Sequence, residues 1–197
     1  MKMNKIKILV LTFLSIVLIV GCSNKDETAE GKDEVDKIFE ETDKVALEFY
    51  KAGFELNIPK IYEMLSSKGK ESIGEYVIGM EGNEIDVSTD KLIQVEEFEN
   101  YKQQHPDKFK AFNKLNDEYE IRRYGDAFNK EAKEVVYRVE PWNEYKTYEN
   151  SGDYNYISLI QNEDGKWVVK EFLETIIPDQ IKDKNSGTII HAYESSD

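Results

Sequence analysis

The chain has 197 residues, of which 40 are acidic and 26 are basic, so its formal net charge is −14. This excess of acid excludes nucleic acid as an expected partner, because phosphate binding needs clustered lysine and arginine. A single cysteine excludes a disulfide framework and a cysteine-based zinc site. Hydrophobic residues make up 40% of the chain and aromatic residues 12%, which favours one folded domain with appendages.

The first 22 residues differ from the rest of the chain in charge and hydropathy. Three lysines and no acid precede an apolar run from Ile8 to Val20. As a helix this run would span about 20 Å, which is short of a hydrocarbon core of about 30 Å. We therefore interpret residues 1–21 as a signal peptide. The alternative is an uncleaved membrane anchor in which the cysteine is incidental.

The residues Ile19, Val20, Gly21 and Cys22 resemble the lipobox of bacterial lipoproteins. The resemblance implies that Cys22 is lipidated and becomes the first residue of the mature chain. Two or more acyl chains would hold the protein on the outer face of the cell membrane. Loss of the three leader lysines leaves the mature chain more negative than −14. The lysine-, asparagine- and isoleucine-rich composition favours a Gram-positive envelope with one membrane.

Residues 22–33, which follow the leader, contain no large apolar side chain and are predicted to form a flexible tether. From Val35 to Phe54 apolar residues recur at helical spacing, which predicts a long amphipathic helix. The Asn57-x-Pro59 step then predicts the N-terminus of a second helix.

Further helical stretches are predicted before the strands begin. Gly69 is expected to interrupt the helical pattern. The apolar residues from Ile73 to Met80 then predict another short helix, which ends near Gly82. Residues 90–115 are predicted to be helical, with a break at His105-Pro106 because proline cannot continue a helix.

The hydrophobic period then changes from 3.6 to 2. Alternation predicts strands in the ranges 119–124, 135–140, 154–160 and 167–177, and Asn162-Glu163-Asp164-Gly165 predicts a hairpin between the last two. The sequence therefore predicts an α+β fold, with N-terminal helices on a curved, mostly antiparallel sheet of about four strands.

This domain is assigned to residues 34–177, and residues 178–197 form a C-terminal tail. The tail segment Thr188 to Tyr193 is apolar enough to pack. It could add a strand to its own sheet or to a partner, or stay disordered.

The long first helix, the Asn-x-Pro start of the second and the Asp164-Gly165-Lys166-Trp167 turn resemble the nuclear-transport-factor-two-like superfamily. More narrowly, the chain is similar to small Gram-positive lipoproteins with such a cone-shaped, cystatin-like domain. The resemblance covers about residues 34–177. Residues 81–115 depart from it as an insertion, and the tail has no counterpart in it.

The resemblance implies a concavity between helices and sheet, where some relatives place tyrosine beside aspartate or histidine for proton transfer. Here Tyr119 and Tyr137 could project into such a pocket, with Arg123 or Arg138 holding an anion. The alternative is that the tyrosines are core or rim aromatics and the arginines pair with acids. No aspartate or histidine falls on the same strand faces, so no catalytic residue is assigned.

The sequence predicts no metal or cofactor site. Its two histidines, His105 and His191, lack the spacing of metal ligands. Residues 183–194 resemble a calcium loop but are out of register by one residue, because Asp183 and Glu194 miss the first and last ligand positions when Ser186 and Gly187 are aligned. The first functional hypothesis is a tethered, non-enzymatic module that binds a protein or a small ligand and selects basic partners. The second is a lipoprotein enzyme or small-molecule carrier that uses the pocket.

Overall fold

The computed structural model describes residues 29–73, 87–110, 119–141, 155–170, 181 and 185–194. Its helices are α1 (Ala29–Phe54), α2 (Ile58–Met64), α3 (Ser67–Ser72), α4 (Thr89–Leu92), α5 (Val95–Gln104) and α6 (Pro106–Lys110). Its strands are β1 (Tyr119–Asn129), β2 (Glu134–Pro141), β3 (Asn155–Gln161), β4 (Trp167–Val169) and β5 (Thr188–His191). The fold is α+β, as the sequence predicts.

Helix α1 begins earlier than its apolar pattern indicates. It starts at Ala29, so residues 29–33, which we expected to belong to the tether, are helical. Their alanine, glutamate and lysine are good helix formers, and acidic side chains near a helix N-terminus interact favourably with its dipole. These residues favour a helix that begins before Val35, the first apolar residue of the pattern.

Helices α2 and α3 are both capped by side chains of the preceding residue. Asn57 Oδ1 accepts from the Lys60 backbone N–H at 3.2 Å, as the Asn-x-Pro step predicts. Ser66 Oγ accepts from the Gly69 backbone N–H at 3.1 Å and starts a helix where an interruption was expected. Gly69 lies inside α3, and glycine suits this position because a Cβ there would stand only 3.3 Å from the Leu65 side chain. Most of the helix expected over 73–80 falls outside the described residues.

The helices α4 to α6 pack on the start of α2 around a second hydrophobic core. Its buried residues are Leu56, Ile58, Leu92, Phe98, Tyr101 and Phe109. Helix α5 ends at Gln104 and α6 begins at Pro106, which confirms the predicted break. Residues 87–110, the described part of the predicted insertion, thus share this second core with Leu56 and Ile58.

The sheet is antiparallel and has five strands, where the sequence predicted about four. The strand order is β4-β3-β2-β1-β5, so β1 to β4 form a meander and β5 returns to pair with β1. The additional strand comes from the tail. Its Ile190 packs against the main core, and this burial gives the segment a reason to join its own sheet.

The hairpin between β3 and β4 has the predicted turn. The Asn162 side chain accepts from the backbone N–H groups of Asp164 and Lys166 at 3.1 and 2.8 Å. Gly165 has φ of 76°, a conformation that favours glycine. Strand β4 is described only from Trp167 to Val169, and residues 171–177 of the predicted strand lie outside the described residues.

Strand pairing sorts the side chains onto two faces of the sheet. The face toward α1 holds the main core, with Ile121, Tyr137, Val139, Leu159 and Val169 each buried. The opposite face carries Tyr124, Val136 and Tyr156 in a smaller cluster, next to buried charges. The charged side chains that could carry function therefore divide between two separate environments.

Candidate functional site

The side chains of Arg123 and Tyr137 meet on the α1 face of the sheet. The two residues are direct partners across the antiparallel β1–β2 pair, and directly opposite side chains share a face. Asp43 reaches them from α1. Its Oδ1 accepts from the Tyr137 hydroxyl at 2.8 Å, and its Oδ2 lies 2.5 Å from Arg123 Nη1. One carboxylate thus joins the helix to two strands.

Thr42, the residue before Asp43, completes this cluster. Its hydroxyl lies 2.6 Å from the Tyr137 hydroxyl and 2.9 Å from the Ile38 carbonyl oxygen. A tyrosine hydroxyl has one proton, and an ionised carboxylate can only accept, so Tyr137 donates to Asp43. Thr42 then donates either to Tyr137 or to Ile38. We call Thr42, Asp43, Arg123 and Tyr137 the Asp43 cluster.

Burial determines what Tyr137 can do chemically. It raises the pKa of the Tyr137 hydroxyl well above its ordinary value; the Thr42 hydrogen bond opposes this shift, and the Asp43 carboxylate adds to it. Tyr137 therefore keeps its proton at any physiological pH. It can donate a hydrogen bond, but it cannot serve as a general base.

Arg123 is held from a second side by an aromatic ring. Its guanidinium carbon lies 4.3 Å from the centroid of Phe39, which packs edge-on against Phe128. The side chain of Arg123 is 15% exposed and that of Asp43 is 22% exposed, so the ion pair lies at the border of the core. Both side chains of the pair are thus partly accessible to solvent.

Tyr119 does not join the Asp43 cluster. Its ring packs against Phe54 at 4.5 Å between centroids and stacks on the His191 imidazole at 4.1 Å. His191 Nδ1 lies 3.1 Å from the Tyr119 carbonyl oxygen and must donate its proton there, because a carbonyl can only accept. This tyrosine fixes the tail strand to the sheet.

Arg138 lies on the opposite face of the sheet from Arg123. Its side chain is 1% exposed, and Nη2 lies 3.3 Å from Glu120 Oε1 and 3.2 Å from Glu140 Oε2. Arg122 also pairs with Glu120. The register places Glu120 opposite Glu140 and Arg122 opposite Arg138, so one diagonal ion pair and two pairs within single strands offset the two like-charge pairs. This arginine neutralises buried acids.

Asp43 is the residue that the strand pattern alone could not supply. The sequence predicts no aspartate beside Tyr119 and Tyr137 on the inner strand faces, and the carboxylate comes instead from a helix 80 residues before Arg123. A signal for it does exist in the helical spacing. Asp43 stands four residues after Phe39 and three before Ala46, which places it on the buried stripe of α1.

The lipobox residues Ile19, Val20, Gly21 and Cys22 lie outside the described residues. Within the described ranges, no helix is long and apolar enough to cross a membrane. In that same part of the chain, no group of three or more His, Cys, Asp or Glu side chains could hold a metal ion. Comparisons with family models, curated proteins and solved structures found no match.

Proposed function

We propose that this chain is a lipoprotein anchored through Cys22 to the outer face of the cell membrane, and that its domain is a non-enzymatic binding or assembly module. The lipobox carries the anchoring part of this proposal. It stands directly after a positive, then apolar leader, and its cysteine is the only one in the chain. A lipid anchor would hold the domain where it meets extracytoplasmic partners.

The Asp43 cluster supports a module over an enzyme. Both oxygens of its carboxylate accept hydrogen bonds from the fold, and burial keeps Tyr137 protonated. Side chains committed in this way hold α1 on the sheet. The resemblance to cone-shaped, cystatin-like lipoproteins belongs to the same proposal, and the α+β order of helices before a meander agrees with it.

The alternative function is a lipoprotein enzyme or carrier that uses a pocket beside Tyr137. One observation favours it, because Asp43 is 22% exposed and touches both Tyr137 and Arg123. An aspartate beside a tyrosine and an arginine is a composition that can bind a carbonyl or an anion. If this function operates, Tyr137→Phe will reduce ligand binding or turnover by more than its effect on stability explains.

The anchoring proposal is tested by Cys22→Ala in the full chain. We expect the variant to lose incorporation of labelled fatty acid and to keep its leader, because the lipid acceptor is gone. The matched control Ser15→Ala changes a polar residue of the leader. It should be labelled with fatty acid and lose its leader in the same way as the parent chain. Fatty-acid labelling that persists in Cys22→Ala would show that the lipobox interpretation is wrong.

A further inference from the structure

The two edges of the sheet are protected to different degrees. At the β4 edge, Leu65 forms a parallel bridge with Val169, and the Ser66 backbone N–H donates to the Val169 carbonyl at 2.7 Å. The Ser66 hydroxyl donates to the Lys170 carbonyl at 2.5 Å. The connection between α2 and α3 therefore covers this edge at Val169 and Lys170.

The β5 edge has no such cover in the part of the chain that the structure describes. Strand β5 is last in the sheet order, and its four residues, Thr188 to His191, include no proline and no carboxylate, lysine or arginine. Ile189 is 44% exposed and is one of two large hydrophobic residues exposed within the described ranges. Natural edge strands are usually blunted by charge, proline, cover or a very short length, and within the described ranges β5 has only the last of these.

Strand β5 is nevertheless held firmly against β1. His191 stacks on Tyr119, and Arg122 Nη1 donates to the Asn185 carbonyl at 2.8 Å. Gly187 has φ of 93° and comes so close to β1 that a Cβ would lie 2.5 Å from the Arg123 carbonyl oxygen. These contacts fix the strand at both ends, so its outer edge is a preformed template for another strand.

We propose that the outer edge of β5 binds an extended segment of a protein partner by strand addition, and that this segment carries lysine or arginine beside alternating apolar residues. Backbone hydrogen bonds to β5 would supply affinity, and an apolar side chain would cover Ile189. This inference rests on the proposed function as a binding module and names its surface.

Charge decides between the possible occupants of this edge. The chain has a net charge of −14, and the exposed Glu194 stands three residues after the end of β5. Two copies of so acidic a chain repel each other, whereas a basic segment is attracted and steered toward the edge. The occupant is therefore a basic partner and not a second copy.

The test uses the full chain and two synthetic peptides of about ten residues, the length of a long strand. One has the sequence Lys-Lys-Thr-Val-Thr-Val-Thr-Val-Lys-Lys, and the other replaces each lysine by glutamate. We expect the basic peptide to bind about tenfold more tightly than the acidic one at low salt, and salt to reduce that difference. Hydrogen exchange should show new protection of the β5 amides.

Two matched variants locate the binding surface. Ile189→Lys places a charge on the edge and should weaken binding of the basic peptide about tenfold, because it removes an apolar contact and adds repulsion. Val95→Lys makes the same change on α5 at the other exposed large hydrophobic residue, 65% exposed, and should leave binding unchanged. Equal unfolding midpoints for both variants would show that neither effect comes from misfolding.

Several results would overturn the proposal. They are equal binding of the two peptides, an effect of Val95→Lys instead of Ile189→Lys, and an Ile189-dependent dimer in sedimentation experiments without peptide. Absence of peptide binding also counts against the edge. None of these results affects lipidation of Cys22, which fatty-acid labelling measures separately. If the peptide protected amides elsewhere on the chain, the proposed binding function would stand, but β5 would be excluded as its surface.

Discussion

Asp43 connects α1 to β1 and β2 through a single carboxylate. It lies at the border of the core. If Asp43 were removed, Arg123 would lose its ion partner while remaining shielded from much of the surrounding water. Arg123 could recover part of that hydration through the exposed side of the pair. The contribution of Asp43 therefore falls between that of a surface ion pair and that of a fully buried one.

We expect Asp43→Asn to lower the free energy of unfolding by about 2 kcal/mol, because it removes the charge that Arg123 and the Tyr137 hydroxyl face. Chemical denaturation measures this change. Glu40→Gln is the control, since Glu40 pairs with Lys44 on the exposed side of the same helix and its loss should not move the midpoint. Equal midpoints for Asp43→Asn and the parent would contradict the ion pair.

At the scale of elements, glycine controls how the tail joins the sheet. Gly187 and Gly165 both have positive φ, but only Gly187 lies against another strand. At Gly165 a Cβ would meet open space, so substitution there costs only the backbone strain of a left-handed residue, about 1 kcal/mol. At Gly187 the new Cβ would also overlap the Arg123 carbonyl oxygen.

We therefore expect Gly187→Ala to release β5 from β1, because neither backbone can move aside without losing the pairing between them. Hydrogen exchange should show faster exchange of the amides from Thr188 to His191, while the β2–β3 pairing keeps its protection. Gly165→Ala is the matched control and should leave β5 exchange unchanged. Unaltered β5 protection in Gly187→Ala would contradict the close approach of the two strands.

At the scale of the whole molecule, buried tyrosines set the response to alkaline pH. Burial raises the pKa of Tyr50, Tyr124 and Tyr137 above the ordinary value. A raised pKa stabilises the folded state below the unfolded pKa of about 10, and that stability is lost as pH rises toward the folded pKa. Lys44 and Lys60, whose pKa values are raised mainly by ion-pair hydrogen bonds, contribute in the same direction.

We expect the free energy of unfolding to fall above about pH 10, by about 1.4 kcal/mol per pH unit for each tyrosine that ionises only when unfolded. Denaturation curves between about pH 8 and pH 11 would measure this slope. Tyr137→Phe should reduce the slope by the contribution of one tyrosine. The lysine contributions stay the same in both proteins. The same slope in the variant would mean that Tyr137 titrates normally in the folded state.

The sequence by itself determined several local features of this protein, although it did not predict α3 or the early start of α1. The start of α2 at Asn57, the break before Pro106 and the turn at Asn162 to Gly165 agree with the prediction. Each depends on a cap, a missing N–H or a positive φ within a few residues. Such signals are complete in the sequence because their physical causes act over one turn of chain.

The tertiary structure alone decided the pairings across long stretches of chain. Asp43 meets Arg123 and Tyr137 across 80 and 94 residues, and the tail strand joins β1 instead of extending freely. Periodicity indicates which face of an element is buried but not which residues of another element it meets. Strand register and helix placement settle that second question, and they follow from packing of the whole domain.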